Sequence, residues 1–169
     1  MKYINFIILV FVISGCKSRF APKPTGYLRI DLEKKENILF SPDNCPFEFH
    51  APKYFELHYQ PKKNCWIDLT YPKHGATIHL TYKNINNNIF DLLEESRQMV
   101  YKHTVKADAI NEKNYLNNNS QTYGTLYDIH GQTASSVQFH VTDSIQHFLR
   151  GSLYFKVNPN QDSLKPIVN

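Results

Sequence analysis

The sequence predicts an α+β domain, a mainly antiparallel sheet with one central amphipathic helix. Three observations carry this reading. Apolar residues alternate over Ala76–Lys83 and again over His147–Val157, the period of two expected of half-buried strands. Ile89, Leu92, Leu93, Ser96, Met99, Val100 and His103 recur at helical spacing, opposite Asp91, Glu94, Glu95 and Arg97. The links between successive strand patterns are short, as in an antiparallel meander. A composition with 41% hydrophobic and 14% aromatic residues belongs to a folded, strand-rich chain rather than a disordered one.

The chain opens with Lys2, an apolar run from Ile4 to Ile13 broken by Asn5, and then Ser14-Gly15-Cys16. This is the layout of a secretory signal peptide. The run is too short to span a bilayer, which takes about 20 apolar residues. An apolar residue, two small residues and then Cys form a lipobox, so this end resembles a bacterial lipoprotein precursor. In that class the Cys thiol takes a diacylglyceryl group, cleavage frees the Cys amine, and the amine is acylated. Residues 1–15 are then the signal peptide, 16–25 the lipidated Cys16 and a Pro-containing tether, and 26–169 a single envelope domain starting near Gly26-Tyr27-Leu28-Arg29-Ile30. The membrane is the first expected partner, through the lipid on Cys16. Lys17 after the lipid-bearing residue, rather than Asp, points to the outer membrane, with the domain facing the periplasm. The formal charge of +4 is scattered along the chain, without the clustered basic stripe that nucleic acid would require.

Two further cysteines, Cys45 and Cys65, remain in an exported chain that meets an oxidising compartment. A disulfide between them is expected. It would close a loop of about 20 residues, worth roughly 3 kcal/mol on a loop-entropy estimate. Around it, Phe47-Glu48-Phe49-His50 and Phe55–Tyr59 alternate as strands, and Cys65–Tyr71 reads as another. Tyr71-Pro72-Lys73-His74-Gly75 is a turn leading into the strand that starts at Ala76. Asn88 is placed to cap the helix, which runs through Lys102, with Asp91 in its first turn. Residues 105–116 read ambiguously, as one strand at most. Tyr123–Ile129 ends at a His130-Gly131 turn. Ala134–Thr142, with Val137, Phe139 and Val141 on one face, and His147–Val157 complete the meander. Asp162 or Ser163 starts a second helix, truncated at Asn169, which leaves the sheet around Val137 and Leu153 partly uncovered. Strands, a central helix, a meander and a terminal helix are also the order of the PsbP and Mog1 α/β/α sandwich.

Eight histidines raise the question of a metal. His140, Asp143 and His147 flank one turn and are the best candidate ligand set, with His74 and His79 as a weaker pair. The solvated polar face of a strand accounts for His79 and His140 more simply, and no metal or other cofactor is expected. Asp128, His130, Ser135 and Ser136 hold the residue types of a hydrolase triad, but they crowd one hairpin and lack a nucleophile elbow. Phosphate-loop, dinucleotide and His-Glu-x-x-His motifs are missing from the sequence. The aromatics Tyr27, Trp66, Tyr71, Tyr82, Tyr123, Tyr127 and Tyr154 are of the types used both in sheet cores and at protein interfaces.

Four stretches resemble the gliding-motility lipoprotein GldD family of Bacteroidetes: Pro22–Leu32, Cys65–Lys83, Val100–Ile110 and Tyr123–Phe155. They are spread along the mature chain from Pro22 to Phe155. The resemblance implies a non-enzymatic envelope lipoprotein needed for gliding and for the linked type IX secretion machinery, with other proteins of that apparatus as partners. It carries over no catalytic residue, and it implies a final helix after Pro159-Asn160-Gln161-Asp162-Ser163-Leu164. The rival readings are a lipid-anchored hydrolase or metal enzyme built on His140, Asp143 and His147, and a lipoprotein that binds a small ligand or peptidoglycan. Replacing Cys16→Ser should move the protein out of the membrane fraction and abolish labelling by a radioactive or clickable fatty acid. A labelled, membrane-bound variant would refute the lipobox assignment.

Overall fold

Alternation along the strands divides one sheet into two faces with different coverings. A computed structural model describes residues 36–156, except residue 62. Its strands are β1 (Asn37–Phe40), β2 (Phe49–Pro52), β3 (Glu56–Tyr59), β4 (Trp66–Tyr71), β5 (Ala76–Asn84), β6 (Ala107–Asn117), β7 (Thr122–Gly131), β8 (Ser135–Thr142) and β9 (His147–Phe155). One α-helix, α1 (Ile89–Tyr101), follows β5. Seven strands form a sheet in the order β3-β4-β5-β9-β8-β7-β6, and β1 and β2 form a separate two-stranded unit. Every neighbouring pair is antiparallel. Between β5 and β6 the chain crosses β9, β8 and β7, and α1 makes that crossing. The domain is therefore α+β, with a mostly antiparallel sheet and one described helix.

Register fixes the two faces. Ile67, Leu69, Ile78, Leu80, Phe139 and Leu149 lie on one of them. Ile67, Leu69 and Leu80 are its buried core, against which Phe47, Phe49, Phe55 and Cys45 pack from the β1–β2 side. On the opposite face, Val100 of α1 is buried against Tyr127 and Ile129 of β7. The helix is held at its middle and at its C-terminal end. Lys83 Nζ meets Glu95 Oε2 at 2.7 Å near β5, and the Tyr101 hydroxyl donates to Glu112 Oε1 at 2.8 Å on β6. Leu92, Ser96 and Val100 are the buried stripe, as the helical spacing predicts.

The Cys45–Cys65 disulfide forms, with the Cα atoms 5.5 Å apart. It ties the segment between β1 and β2 to the entry of β4. Cys65 there has φ of +55° and Asn44, beside Cys45, has φ of +60°. Such left-handed backbone is costly for a residue with a Cβ, so the surrounding contacts must hold it.

Several expectations are corrected. Strand β1 is missed by the sequence reading, because its four residues show no alternation between exposed and buried positions. The turn at His130-Gly131 lies inside β7, and the chain reverses at residues 132–134, where Thr133 N–H bonds the Gly131 carbonyl at 2.9 Å. The ambiguous stretch near 105–116 becomes β6, the longest strand. Asn88 does stand at the helix N-terminus, yet its side chain accepts from the Asn86 N–H at 2.8 Å instead of capping α1. The predicted C-terminal helix, the tether and the lipobox lie outside the described residues. So does any second helical layer of an α/β/α sandwich. Val137 and Leu153, which that helix was expected to cover, are half-buried.

Two glycines are set by geometry. Gly75, with φ of +59°, ends the short 3-10 turn Pro72–His74 and directs the chain into β5. Gly151 stands opposite Phe139 across β8 and β9, and any Cβ there would overlap the Phe139 ring. Gly151→Ala should therefore cost about 1–3 kcal/mol, as overpacking does. Urea denaturation reads this directly. The double variant with Phe139→Leu should recover part of the loss, and unchanged stability in the single variant would refute the contact.

Candidate functional site

The face beneath β1 and β2 is not filled solid. A cavity of about 650 Å³ lies between that unit and the sheet, within the size range of small-ligand pockets. A run of ring contacts joins the β1–β2 unit to the sheet, and four of its members, Phe47, Phe49, Tyr71 and Tyr82, line the cavity. Tyr71 meets Phe55 at 6.3 Å, Phe55 meets Phe40 at 5.3 Å, and Phe40 meets Phe49 at 5.5 Å. Phe49 then meets Phe47 at 6.3 Å, and Phe47 meets Tyr82 at 5.8 Å. The floor is aliphatic, from Leu69, Ile78, Leu80 and Leu149.

One end is polar. The Tyr82 hydroxyl donates to Asn84 Oδ1 at 2.6 Å and lies 2.7 Å from His147 Nδ1. A hydroxyl has one proton, so His147 donates from Nδ1 and its Nε2 is the acceptor. Asp143 closes the β8–β9 turn, its Oδ1 accepting the N–H groups of Ile145, Gln146 and His147 at 3.0, 2.9 and 2.8 Å. Partial burial alone would raise its carboxyl pKa. The three backbone donors outweigh that, and the group sits below the usual carboxylate range. The Tyr82 hydroxyl is pushed up, by burial first and by the Asp143 charge second.

A second polar group lies on the helix side. Gln138 is 2% exposed and His140 6%. The His140 ring stacks on Phe148 at 5.6 Å and stands opposite Arg150 in register. Gln138 Oε1, His140 Nδ1 and Arg150 Nε have no protein partner among the described residues. Burial lowers the pKa of both His140 and Arg150. The sequence reading of His140 as a solvated strand histidine is thus overturned. Its face, polar in composition, is the one α1 covers.

The residues nominated for chemistry are placed as follows. His147 and Asp143 share the cavity end, but His140 is on the other face of the sheet, so the three do not meet as one ligand set. No group of three or more potential metal ligands occurs among the described residues. His74 lies in the 3-10 turn, while His79 Nδ1 pairs with Asp68 Oδ1 at 2.6 Å on the opposite face from the cavity. Asp128 Oδ2 lies 3.2 Å from His130 Nε2 along one strand, and Asn111 Nδ2 lies 3.0 Å from the same nitrogen. Ser135 is fully buried and its hydroxyl donates to the Val137 carbonyl, so no triad is assembled around it. Tyr82 and Tyr127 are core residues, Tyr123 is exposed, and Trp66, Tyr71 and Tyr154 are half-buried. Tyr27 lies outside the described residues. The cavity itself was not anticipated. Its signal was the density of Phe between residues 40 and 55, which reads equally well as ordinary core.

The fold defines the class as an α+β domain built on a mostly antiparallel sheet with one described helix. The family model described as gliding motility lipoprotein GldD matches residues 17–169, and the chain belongs to that family. No curated protein matches the chain closely enough to be reported as a relative.

The buried His140 makes stability depend on pH. Its folded pKa is lowered from 6.5 by burial, so the unfolded chain binds the proton more readily. This contribution is complete above that value and is lost as pH falls through the window below it. His103 is also lowered by burial and acts in the same direction. Chemical denaturation between about pH 8 and pH 5 should show falling stability in the parent protein and a shallower fall in His140→Gln. Equal slopes would show that His140 stays hydrated or finds a partner for its proton.

Proposed function

We propose that this protein is a non-enzymatic, lipid-anchored component of the apparatus that drives gliding and the linked type IX secretion. It sits on the outer membrane through Cys16 with its domain in the periplasm, and it works by contacting other envelope proteins of that apparatus. The observation that carries the reading is the family match from residue 17 onward, directly behind the lipobox cysteine. Several acyl chains on one residue hold a protein to a bilayer far more firmly than one, since each buried methylene adds about 0.8 kcal/mol. A permanent anchor suits a structural part that must stay at a fixed site while other parts move.

The described surface is consistent with contact to other proteins. Leu116 and Tyr123 pair across β6 and β7 and are both exposed, Tyr115 is exposed on the other side of the sheet, and aromatic residues of this kind are enriched at interfaces. Deleting the gene in the parent bacterium should abolish colony spreading and block release of type IX cargo. Wild-type protein should restore both, and Cys16→Ser should restore neither while still being made. Full spreading and secretion in the deletion strain would overturn the proposal. Photo-crosslinking from position 115 or 123 in intact cells is expected to trap an envelope protein of the same apparatus.

A further inference from the structure

The cavity has a chemical polarity that goes beyond a role in assembly. At its polar end the hydroxyl protons are already committed within the protein. Tyr82 gives its proton to Asn84 Oδ1, and Thr142 gives its own to the His147 carbonyl at 2.7 Å. Thr122 donates to the Ser120 carbonyl at 3.1 Å, which leaves the Ser120 hydroxyl to donate to Thr122 Oγ1 at 2.6 Å. His147 donates from Nδ1 to Tyr82, so its Nε2 remains an acceptor. What these groups still offer a ligand is lone pairs.

Charge points the same way. The described lining contains two carboxylates, Glu48 and Asp143, and no Lys or Arg. That is notable in a chain with 19 basic residues and a net charge of +4. Asp143 is anionic, since its carboxyl pKa lies below the ordinary range. A carboxylate- or phosphate-ended ligand would meet repulsion here and find few donors. An ammonium would meet acceptors and the Asp143 charge. Away from this end the walls are apolar, from Phe47 and Phe49 to Leu80, Phe139 and Leu149.

We propose that the cavity between β1–β2 and the sheet binds a single hydrocarbon chain carrying a primary ammonium head, with the head at Asp143 and His147 and the chain along the aromatic wall. The source of such a ligand is either a single-chain (lyso) ethanolamine phospholipid or a free amine-headed lipid. The occupant is matched by charge as well as by apolarity, and this separates it from a fatty acid of the same length. The proposal does not depend on the role in gliding, and either can fail alone.

The test uses the mature chain carrying Cys16→Ser, which has no acyl group of its own. Calorimetry or native mass spectrometry compares dodecylamine with dodecanoate, both kept below micelle formation. One-to-one binding of dodecylamine at least about tenfold tighter than dodecanoate is expected, a difference of about 1.4 kcal/mol. General adsorption to a chain of positive net charge would favour dodecanoate, so preference for the amine reports the site. Asp143→Asn keeps an oxygen for the three turn N–H groups and should reduce the preference to about threefold or less. Val141→Trp should fill the cavity and abolish binding of both probes, with circular dichroism confirming the fold. Lyso-phosphatidylethanolamine binding in competition with dodecylamine identifies a phospholipid source, and binding of dodecylamine alone identifies a free amine lipid. Equal affinities, preference for dodecanoate, or no binding by either amine-headed probe would overturn the proposal. So would binding only of a partner peptide.

Discussion

The ring-to-ring seam from Tyr71 through Phe55, Phe40, Phe49 and Phe47 to Tyr82 is the constraint on which the rest of the structure depends. Its members come from β1, β2, β4, β5 and the segments flanking β2 and β3. Each such contact adds about 0.5–1.5 kcal/mol beyond simple burial. A two-stranded unit of four-residue strands is marginal by itself. It exists here because its rings pack on the large sheet and because the Cys45–Cys65 bond pins one side.

The other face is held differently. There α1 lies across the sheet, with an apolar contact at Val100, Tyr127 and Ile129 and a polar patch at Gln138, His140, Ser152 and Arg150. Buried polar groups without partners are costly. The patch therefore weakens this layer, which the contacts Lys83–Glu95 and Tyr101–Glu112 help to hold. The sheet has an aromatic side with a cavity and a side whose packing is sensitive to protonation.

Membership of the gliding motility lipoprotein family gives these layers a setting. β6 is an edge strand of 11 residues whose side chains from Asn111 to Asn117 are all exposed. Long edges of this kind invite pairing unless charge or cover prevents it. Glu112 and Lys113 interrupt the apolar run, so the edge is discouraged from indiscriminate pairing while Tyr115 and Leu116 stay available.

What the sequence by itself determined was local. Period-two alternation placed β5, β8 and β9, helical spacing placed α1 and its buried stripe, and the cysteine count in an exported chain predicted the pairing of Cys45 with Cys65. The lipobox is the basis for proposing Cys16 as the lipid site, and long matching stretches identified the family. Tertiary structure decided the rest. Composition marked the Gln138, His140 and Thr142 face as outward, and α1 buried it, because a crossover helix covers whatever face its connection reaches. Sequence proximity put His140, Asp143 and His147 together, and the register separated the two histidines, because His140 pairs with Arg150 and His147 lies three residues from Arg150 along β9, on the opposite side of the pleat. β1, the cavity and the proton arrangement at Tyr82, Asn84 and His147 arise from contacts between segments far apart in the chain. No periodicity within one segment records such contacts.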